Sequence, residues 1–260
     1  MARTRGLETT FNTVCSEYDK RRPAYVQELY DDIFAAKGID RSSNVLEIGI
    51  GTGQATLPIL ERGCAVTAVE LGDQLAAYTR QKFRRYENLT VKNIPFQDLE
   101  CPPLSFDLIY SASAFHWIPE ETGYAKVFDL LKRGGVFARF ANHPYRDKEK
   151  ESLHTAMQEV YAEYMPGSAM GAEYGEADAR SLAEVGKQYG FVDIRYTLYH
   201  RTRTFTAKEY TALLGTYSDH IAMEEQKRMR FFDEIQRVIT AHGGQITIYD
   251  TIDLQLARKP

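Results

Sequence analysis

Between residues 44 and 140, short apolar runs alternate with stretches of helical period. "NVLEI" (44–48), "VTAVE" (66–70), "LTVKN" (89–93), "FDLIY" (106–110) and "GVFARF" (135–140) read as buried strands. Between most of them, "TGQATLPILERG" (52–63), "GDQLAAYTRQKFRRY" (72–86) and "PEETGYAKVFDLLKRGG" (119–135) read as helices. The last is the best marked. Pro119 stands at the first helical position, Glu120 and Glu121 lie in the first turn, and basic residues precede Gly134-Gly135. Strand–helix–strand alternation predicts a parallel sheet with right-handed crossovers and helices on both faces. Ligands of such sheets bind outside the carboxyl ends of the strands, at the switch point.

Two stretches break the alternation. Residues 145–176 begin as an amphipathic helix, with Leu153, Met157, Val160, Tyr161 and Tyr164 on one broad face, and end in a loop rich in glycine and methionine. Residues 206–242 carry two further helices, "TAKEYTALLGTYS" and "MEEQKRMRFFDEIQRVITAHGG". Between these insertions, "DARSLAEVGKQYG" reads as a sheet-packing helix and "FVDIRYTLYHRTRTF" as a strand. In the closing "QITIYDTIDLQLAR", Ile246, Ile248, Ile252, Leu254 and Leu256 share one parity. The two late strands suit an antiparallel, hairpin-like edge. The expected fold is therefore α/β: a seven-stranded, mostly parallel, doubly wound (Rossmann-like) sheet with an antiparallel edge strand and helical lid insertions. With no internal repeat or low-complexity tract, a single domain over 1–260 is expected, with 145–176 and 206–242 as insertions near an acceptor site.

Composition narrows the setting. The chain has 260 residues, 43% hydrophobic and 26% charged, with a net charge of −4. No apolar run approaches the roughly 20 residues of a membrane helix, and no apolar stretch follows the first arginines, so neither a membrane span nor a secretory signal is expected. The acidic balance argues against nucleic acid as a partner, because phosphate binding needs a basic face. Cys15, Cys64 and Cys101 give neither a zinc spacing nor a disulfide framework. They suit a reducing cytoplasm, and no metal is expected.

In "VLEIGIGTGQAT" (45–56), Gly49, Gly51 and Gly53 stand at alternate positions behind an apolar run. A strand turning into a helix presents backbone N–H groups and a positive dipole end, and glycines let a ligand approach without a Cβ in the way. No lysine followed by serine or threonine stands after the glycines, which excludes a P-loop. A dinucleotide fingerprint fails at its third position, meeting Gln54 or Thr56. What remains is Glu47-x-Gly49-x-Gly51-x-Gly53. An acid within the motif repels a pyrophosphate and suits a ligand bearing an amino group and a sulfonium. Glu70 ends the second strand, where a carboxylate accepts both hydroxyls of a ribose. An adenosine ligand without a pyrophosphate is indicated.

The successive segments "VLEIGIGTGQAT", "VTAVELGDQL", "NIPFQDLECPPLSFDLIYSASAFHWI" and "LLKRGGVFARF" resemble the motifs of class I S-adenosylmethionine-dependent methyltransferases. The likeness covers about residues 40–141, continues loosely at "FNTVCSEYDKRRPAY" and the final strand, and is nearest the small-molecule branch that includes trans-aconitate methyltransferase. The resemblance implies S-adenosylmethionine as cofactor, with Glu47, Gly49, Gly51 and Gly53 around its methionine part and Glu70 on the ribose. It places Leu71 on the adenine and Gln97 and Asp98 near the exocyclic amine. Ser111, Ala112 and Ser113 would line the methyl-bearing end. An N-terminal segment, 1–25, that closes over the cofactor points to Tyr18, Arg22 and Tyr25. Other roles stay open: Asp98 as a loop cap, Arg22 paired with a surface acid, Tyr18 and Tyr25 as packing aromatics.

Methyl transfer is an in-line displacement at a carbon already activated by the sulfonium, so alignment supplies much of the acceleration and a dedicated base is optional. After the fourth strand the chain has "SASAFHW", not the Asn/Asp-Pro-Pro-aromatic of DNA amino-methylating enzymes, nor a Pro-Cys nucleophile. A small-molecule acceptor is expected. His116 is the catalytic candidate, with three readings open: a base, a donor to the acceptor, or a core histidine capping the next helix. Asn142, His143 and Arg146, in the loop after the fifth strand, are further acceptor candidates; Arg146 also reads as a solvated loop residue. The face around Met157, Tyr161 and Tyr164 reads either as a roof over an apolar acceptor or as helix packing. Two rival classes remain: a catalytically silent cofactor-binding protein, and a nucleotide-cofactor oxidoreductase, against which the failed third glycine counts.

Overall fold

Residues 15–147, 149–168 and 173–260 are described by a computed structural model. Most of the proposed cap segment, 1–14, and part of the glycine- and methionine-rich loop, 169–172, lie outside the described residues. Five strands carry the alternation read from the sequence: β1 (Asn44–Ile48), β2 (Ala65–Val69), β3 (Leu89–Lys92), β4 (Phe106–Ala112) and β5 (Leu131–Arg146). With β6 (Val192–Thr206) and β7 (Gln245–Arg258) they form one seven-stranded sheet in the order β3-β2-β1-β4-β5-β7-β6. β1 to β5 pair in parallel, with Glu47 opposite Ala68 on one side and Tyr110 on the other. At the end of β7, Gly134 N–H donates to the Lys259 carbonyl and Lys259 N–H to that of Gly135, the exchange of an antiparallel pair. Three helices separate β6 from β7, so the antiparallel edge is not closed by a hairpin turn.

The strand order reverses at β1, so the carboxyl ends of β1 and β4 flank the switch point. Successive residues of β1 enter different cores. Val45 packs with Leu108, Val136, Leu254 and Ile33, whereas Leu46 and Ile48 pack with Ile109, Phe137, Val127 and Leu130. Burial on both faces is what a near-continuous apolar strand requires. The first of these cores includes Leu29, Tyr30 and Ile33 of α2 (Gln27–Ala36), which follows α1 (Cys15–Arg21). No helix was expected at 27–36, although Leu29, Tyr30, Ile33 and Phe34 have its i, i+1, i+4, i+5 spacing.

Two helices differ from their expected extents. The stretch after the glycines forms only α3 (Leu57–Leu60), four residues, whereas α4 (Asp73–Lys82) is regular. α5 runs Glu120–Leu130 with Pro119 at its N-cap, and ends before Lys132-Arg133. Leu131 is fully buried opposite Phe106, and the pairing then slips to Leu108 with Val136 around Gly134, whose φ is 72°. Burial of Leu131 and the left-handed glycine convert the expected helix end into the start of β5.

The chain divides into two compact units. The sheet-centred unit comprises Pro23–Asn142, Gly175–Tyr199 and Ile252–Pro260, including α7 (Glu176–Glu184). The helical unit comprises the described residues through Arg22, His143–Tyr174 and His200–Thr251. It contains α1, α6 (Glu151–Tyr164), α8 (Ala207–Leu214), α9 (Ser218–Ile221) and α10 (Glu225–Ala241). Its own core joins Leu153, Met157, Tyr161, Leu213, Phe231 and Ile235 to Ile246 and Ile248 of β7. Thr206 and Glu209 form a capping box that starts α8.

Candidate functional site

The carboxyl ends of β1, β2 and β4 gather most of the residues singled out by the sequence, all in the sheet-centred unit. Gly49, Gly51 and Gly53 all have left-handed φ, of 74°, 55° and 79°. What a Cβ would meet differs among the three. A Cβ on Gly49 would lie 2.4 Å from Ala114 Cβ, and one on Gly53 would lie 2.2 Å from Phe83 Cε2. These two glycines serve packing within the chain. Only at Gly51 would a Cβ meet nothing within 4 Å.

Four backbone donors of the loop are engaged within the chain. Gly49 and Ile50 N–H groups donate to the Val69 carbonyl, Gly53 N–H to Ile50, and Gly51 N–H to Glu70 Oε2 at 2.8 Å. Three of these four donors tie the loop to the end of β2, and the four-residue α3 provides little dipole. α4 fastens the loop from outside: Thr79 Oγ1 donates to the Gly51 carbonyl at 2.5 Å, and Lys82 Nζ to that of Thr52 at 2.8 Å. Neither anchor was expected from the sequence. Their i, i+3 spacing on α4 was the available signal.

Glu47 is 1% exposed. Its Oε2 accepts from Tyr110 Oη at 2.6 Å and from Thr56 Oγ1 at 2.8 Å. Burial pushes its pKa up to about 7; the two hydroxyls oppose that rise and Glu70 adds to it. Tyr110 was missed as a partner, although strand parity places it on the same face as Glu47. Glu70 is 8% exposed, with Oε1 held by Gly72 N–H at 2.9 Å and Oε2 by Gly51 N–H. Burial raises its pKa, while the amides of Gly72, Gly51 and Leu71 oppose the rise. Asn93 Nδ2 donates to the carbonyls of Glu70 and Leu71 and fixes this strand end. Leu71 follows as an exposed leucine, 44% accessible. Gln97 and Asp98 lie exposed on a short 3-10 turn, and Lys126 Nζ donates to the Gln97 carbonyl at 2.6 Å.

At the end of β4, buried Ser111 donates to the Ile48 carbonyl at 2.9 Å, and Ala112 is half-buried. Ser113 is left-handed, with φ 54°, and its Oγ lies 2.8 Å from Tyr25 Oη. This strained turn directs Ala114 onto Gly49. His116 is exposed on the 3-10 turn Phe115–Trp117, and α5 has no side-chain cap. The reading of His116 as a core, helix-capping histidine is therefore overturned. Its ring lies 4.8 Å from that of Trp117.

The remaining candidates fall in the helical unit or at its boundary. Arg22 Nε donates to Thr216 Oγ1 at 3.0 Å and a terminal nitrogen to the Thr216 carbonyl at 2.8 Å. Its guanidinium lies 5.0 Å from the Tyr18 ring centroid and 4.0 Å from that of Tyr217. Arg22 is thus engaged by Thr216 and two tyrosines, not by a surface acid. Asn142, His143 and Arg146 belong to the long strand β5, not to a loop. His143 stacks on Tyr174 at 3.9 Å, and Arg146 pairs with Glu151 at 2.7 Å. Met157 and Tyr161 are buried in the helical core, and Tyr161 bonds His220 at 3.1 Å. Among the described residues no cluster of His, Cys, Asp and Glu suits a metal ion, and no helix is long and apolar enough to cross a membrane.

Residues 45–135 match the family described as a methyltransferase domain. An uncharacterized methyltransferase of Geobacillus kaustophilus is 31% identical over 164 residues, which span 58% of this chain and 73% of that one. An uncharacterized methyltransferase-like protein of Schizosaccharomyces pombe is 25% identical over 260 residues, 96% of either chain. A solved structure from Anaeromyxobacter dehalogenans, provisionally described as a type II methyltransferase, shares the fold with a TM-score of 0.64. It is 22% identical, over 91% of this chain and 97% of that one. The chain belongs to the class I S-adenosylmethionine-dependent methyltransferases. It is an enzyme of that family, and S-adenosylmethionine is its cofactor.

Proposed function

We propose that the protein methylates a small-molecule acceptor, with the cofactor held at the carboxyl ends of β1, β2 and β4. The observation that carries the site is Glu70. Its two carboxylate oxygens are fixed by separate amides beside an exposed Leu71 and the open side of Gly51. Each oxygen keeps a lone pair for one of two vicinal hydroxyls, so this strand end fits a ribose with its base on Leu71. Gln97 and Asp98 would take the exocyclic amine. Glu47, buried among neutral hydroxyls, suits the cationic methionine end. A loop in which the amides of Gly49, Ile50, Gly51 and Gly53 bond within the chain suits a cofactor without a pyrophosphate. Ser111 contributes by tying β4 to β1, and Ala112 by leaving room at the methyl-bearing end.

When bound, S-adenosylmethionine supplies a methyl group on a sulfonium. The chain's task is to align the acceptor with it and exclude water. His116, exposed beyond the end of β4, is the candidate to bind the acceptor or take its proton. The net charge of −4 and the sequence at 111–117 favour a small acceptor over nucleic acid, in line with the branch that includes trans-aconitate methyltransferase. Three free cysteines fit a reducing cytoplasm.

Thermal melting tests the site. S-adenosylhomocysteine at a hundredfold excess over its Kd should stabilise the protein by about 2.7 kcal/mol, and NAD should not. Glu70→Ala should lose most of that shift while the unliganded protein stays folded. Parent-like binding by Glu70→Ala would remove the ribose assignment. Release of S-adenosylhomocysteine from acceptor pools then identifies the acceptor, and a binder that never turns over would be the silent relative.

A further inference from the structure

β5 carries a cation, Arg139, beside the methyl-bearing end of the proposed site. In the parallel register Arg139 stands opposite Ser111 of β4, which puts the two backbones about 4.8 Å apart. β5 lies on the side of β4 away from β1 and β2, where the cofactor is placed. Parity sets its face: Phe137, two residues earlier, enters the core with Phe115 and Tyr124, whereas Val136, Ala138 and Phe140 enter the other. The guanidinium carbon of half-buried Arg139 lies 5.5 Å from the ring centroid of Phe115, the residue before His116. Its Nη1 donates to Tyr124 Oη at 3.3 Å, a long bond to a neutral partner. Among the described residues no carboxylate pairs with Arg139, and its Nε and Nη2 make no hydrogen bond. Asp253, buried on the same face of the neighbouring β7, accepts instead from Ala141 N–H at 3.1 Å and from Gln255 Nε2. Charges drawn out of water are ordinarily paired, so a guanidinium left open beside a reaction site points to an anion from outside the chain.

We propose that Arg139 is a specificity-determining residue of the acceptor site, its Nε–Nη2 edge holding a carboxylate carried by the small-molecule acceptor. The inference rests on the reading that puts the methyl group at the end of β4, and deepens it by naming the acceptor's class. The open edge of a guanidinium presents two parallel N–H groups that match the two oxygens of a carboxylate. Phe115 and Tyr124 hold that edge in place from the other side of the group. One guanidinium balances one negative charge, which favours a carboxylate over a phosphate dianion. The sulfonium of the bound cofactor is itself cationic, so an anionic acceptor is attracted by both charges and a cationic acceptor is repelled by both.

The test measures S-adenosylhomocysteine release by the parent, Arg139→Gln, Arg139→Lys and Tyr124→Phe. The acceptors are small aliphatic and aromatic carboxylic acids, each beside its neutral primary amide, with phosphate monoesters and small amines as further groups. The parent should use an acid and discriminate against its amide. Arg139→Gln should raise KM for that acid about tenfold to a hundredfold, with the affinity for S-adenosylhomocysteine and the melting temperature kept. Arg139→Lys should recover part of the loss, because an ammonium keeps the charge without the fork. Tyr124→Phe removes only the existing hydrogen bond and should leave the preference for acid over amide intact. If Arg139→Gln does not fold, Arg139→Lys and the acid–amide comparison in the parent decide. Equal use of acids and amides by the parent, or a preference for phosphate monoesters or amines, would overturn the proposal. An Arg139→Gln loss that is the same for acids and amides, with a lowered melting temperature, would make the residue a structural tie to Tyr124 and overturn it too. No release from any small molecule, charged or neutral, would instead sink the small-acceptor reading, and this inference with it.

Discussion

Buried carboxylates in the two units keep different company. In the sheet-centred unit, Glu47 takes hydroxyls and Glu70 takes backbone amides, all neutral donors. In the helical unit, Asp250 is fully buried and bonded by two guanidinium groups, Arg203 through two nitrogens and Arg201 at 3.2 Å. Neutral donors orient a carboxylate without cancelling its charge, so burial still raises the pKa of Glu47 and Glu70. Such groups keep capacity for an incoming cation or diol. Guanidinium donors complete the charge balance within the chain. A buried carboxylate thus keeps its charge unbalanced in one unit and serves as an internal tie between β6 and β7 in the other.

The largest expected effect tests that contrast from the structural side. Asp250→Ala leaves two guanidinium groups without their buried carboxylate and should destabilise the protein by about 3–5 kcal/mol. S-adenosylhomocysteine should still raise the melting temperature of whatever remains folded. If Asp250→Ala abolished the ligand shift with little loss of stability, Asp250 would belong with the site carboxylates and the contrast would fail.

Glu47 gives the next effect, through pH. Its folded pKa of about 7 lies above its ordinary value of 4.5. Between those limits the folded chain holds a proton that the unfolded chain has released, so this group's contribution to stability falls as pH rises. Integrated over that window the loss is on the order of 3 kcal/mol for the unliganded protein. Glu47→Gln should remove this part of the slope, seen as the difference between the two proteins in urea melts across the window. Parallel curves would mean that Glu47 is ionised in the fold despite its burial.

The smallest effect on stability is expected at His116. Because the residue is exposed, His116→Gln should change unfolding free energy by no more than about 0.5 kcal/mol and leave cofactor affinity in place. Turnover on an identified acceptor should fall if His116 binds or deprotonates it, with a rate limb near the histidine range of about 6 to 7. Equal turnover at every pH would retire it from the site.

The sequence by itself determined the alternating core. Runs such as "NVLEI" and "FDLIY" are apolar at both parities, and only a sheet covered on both faces buries them. It also placed Glu47, Gly51 and Glu70, because strand ends in such sheets converge at the switch point whatever the later packing. α2 was legible in its spacing, but α5's end was not: burial of Leu131 outweighed the helical signals in "LKRGG". Tertiary structure alone decided why each glycine is there. Gly49 and Gly53 answer to Ala114 and Phe83, residues far along the chain whose approach no local pattern announces. It likewise moved His116 from a possible core to the surface, turned Asn142 to Arg146 from loop into strand, and gave Arg22 to Thr216. Local sequence sets period and turn chemistry. Which polar group meets which partner depends on contacts between distant segments, and these exist only once the sheet has closed its two cores.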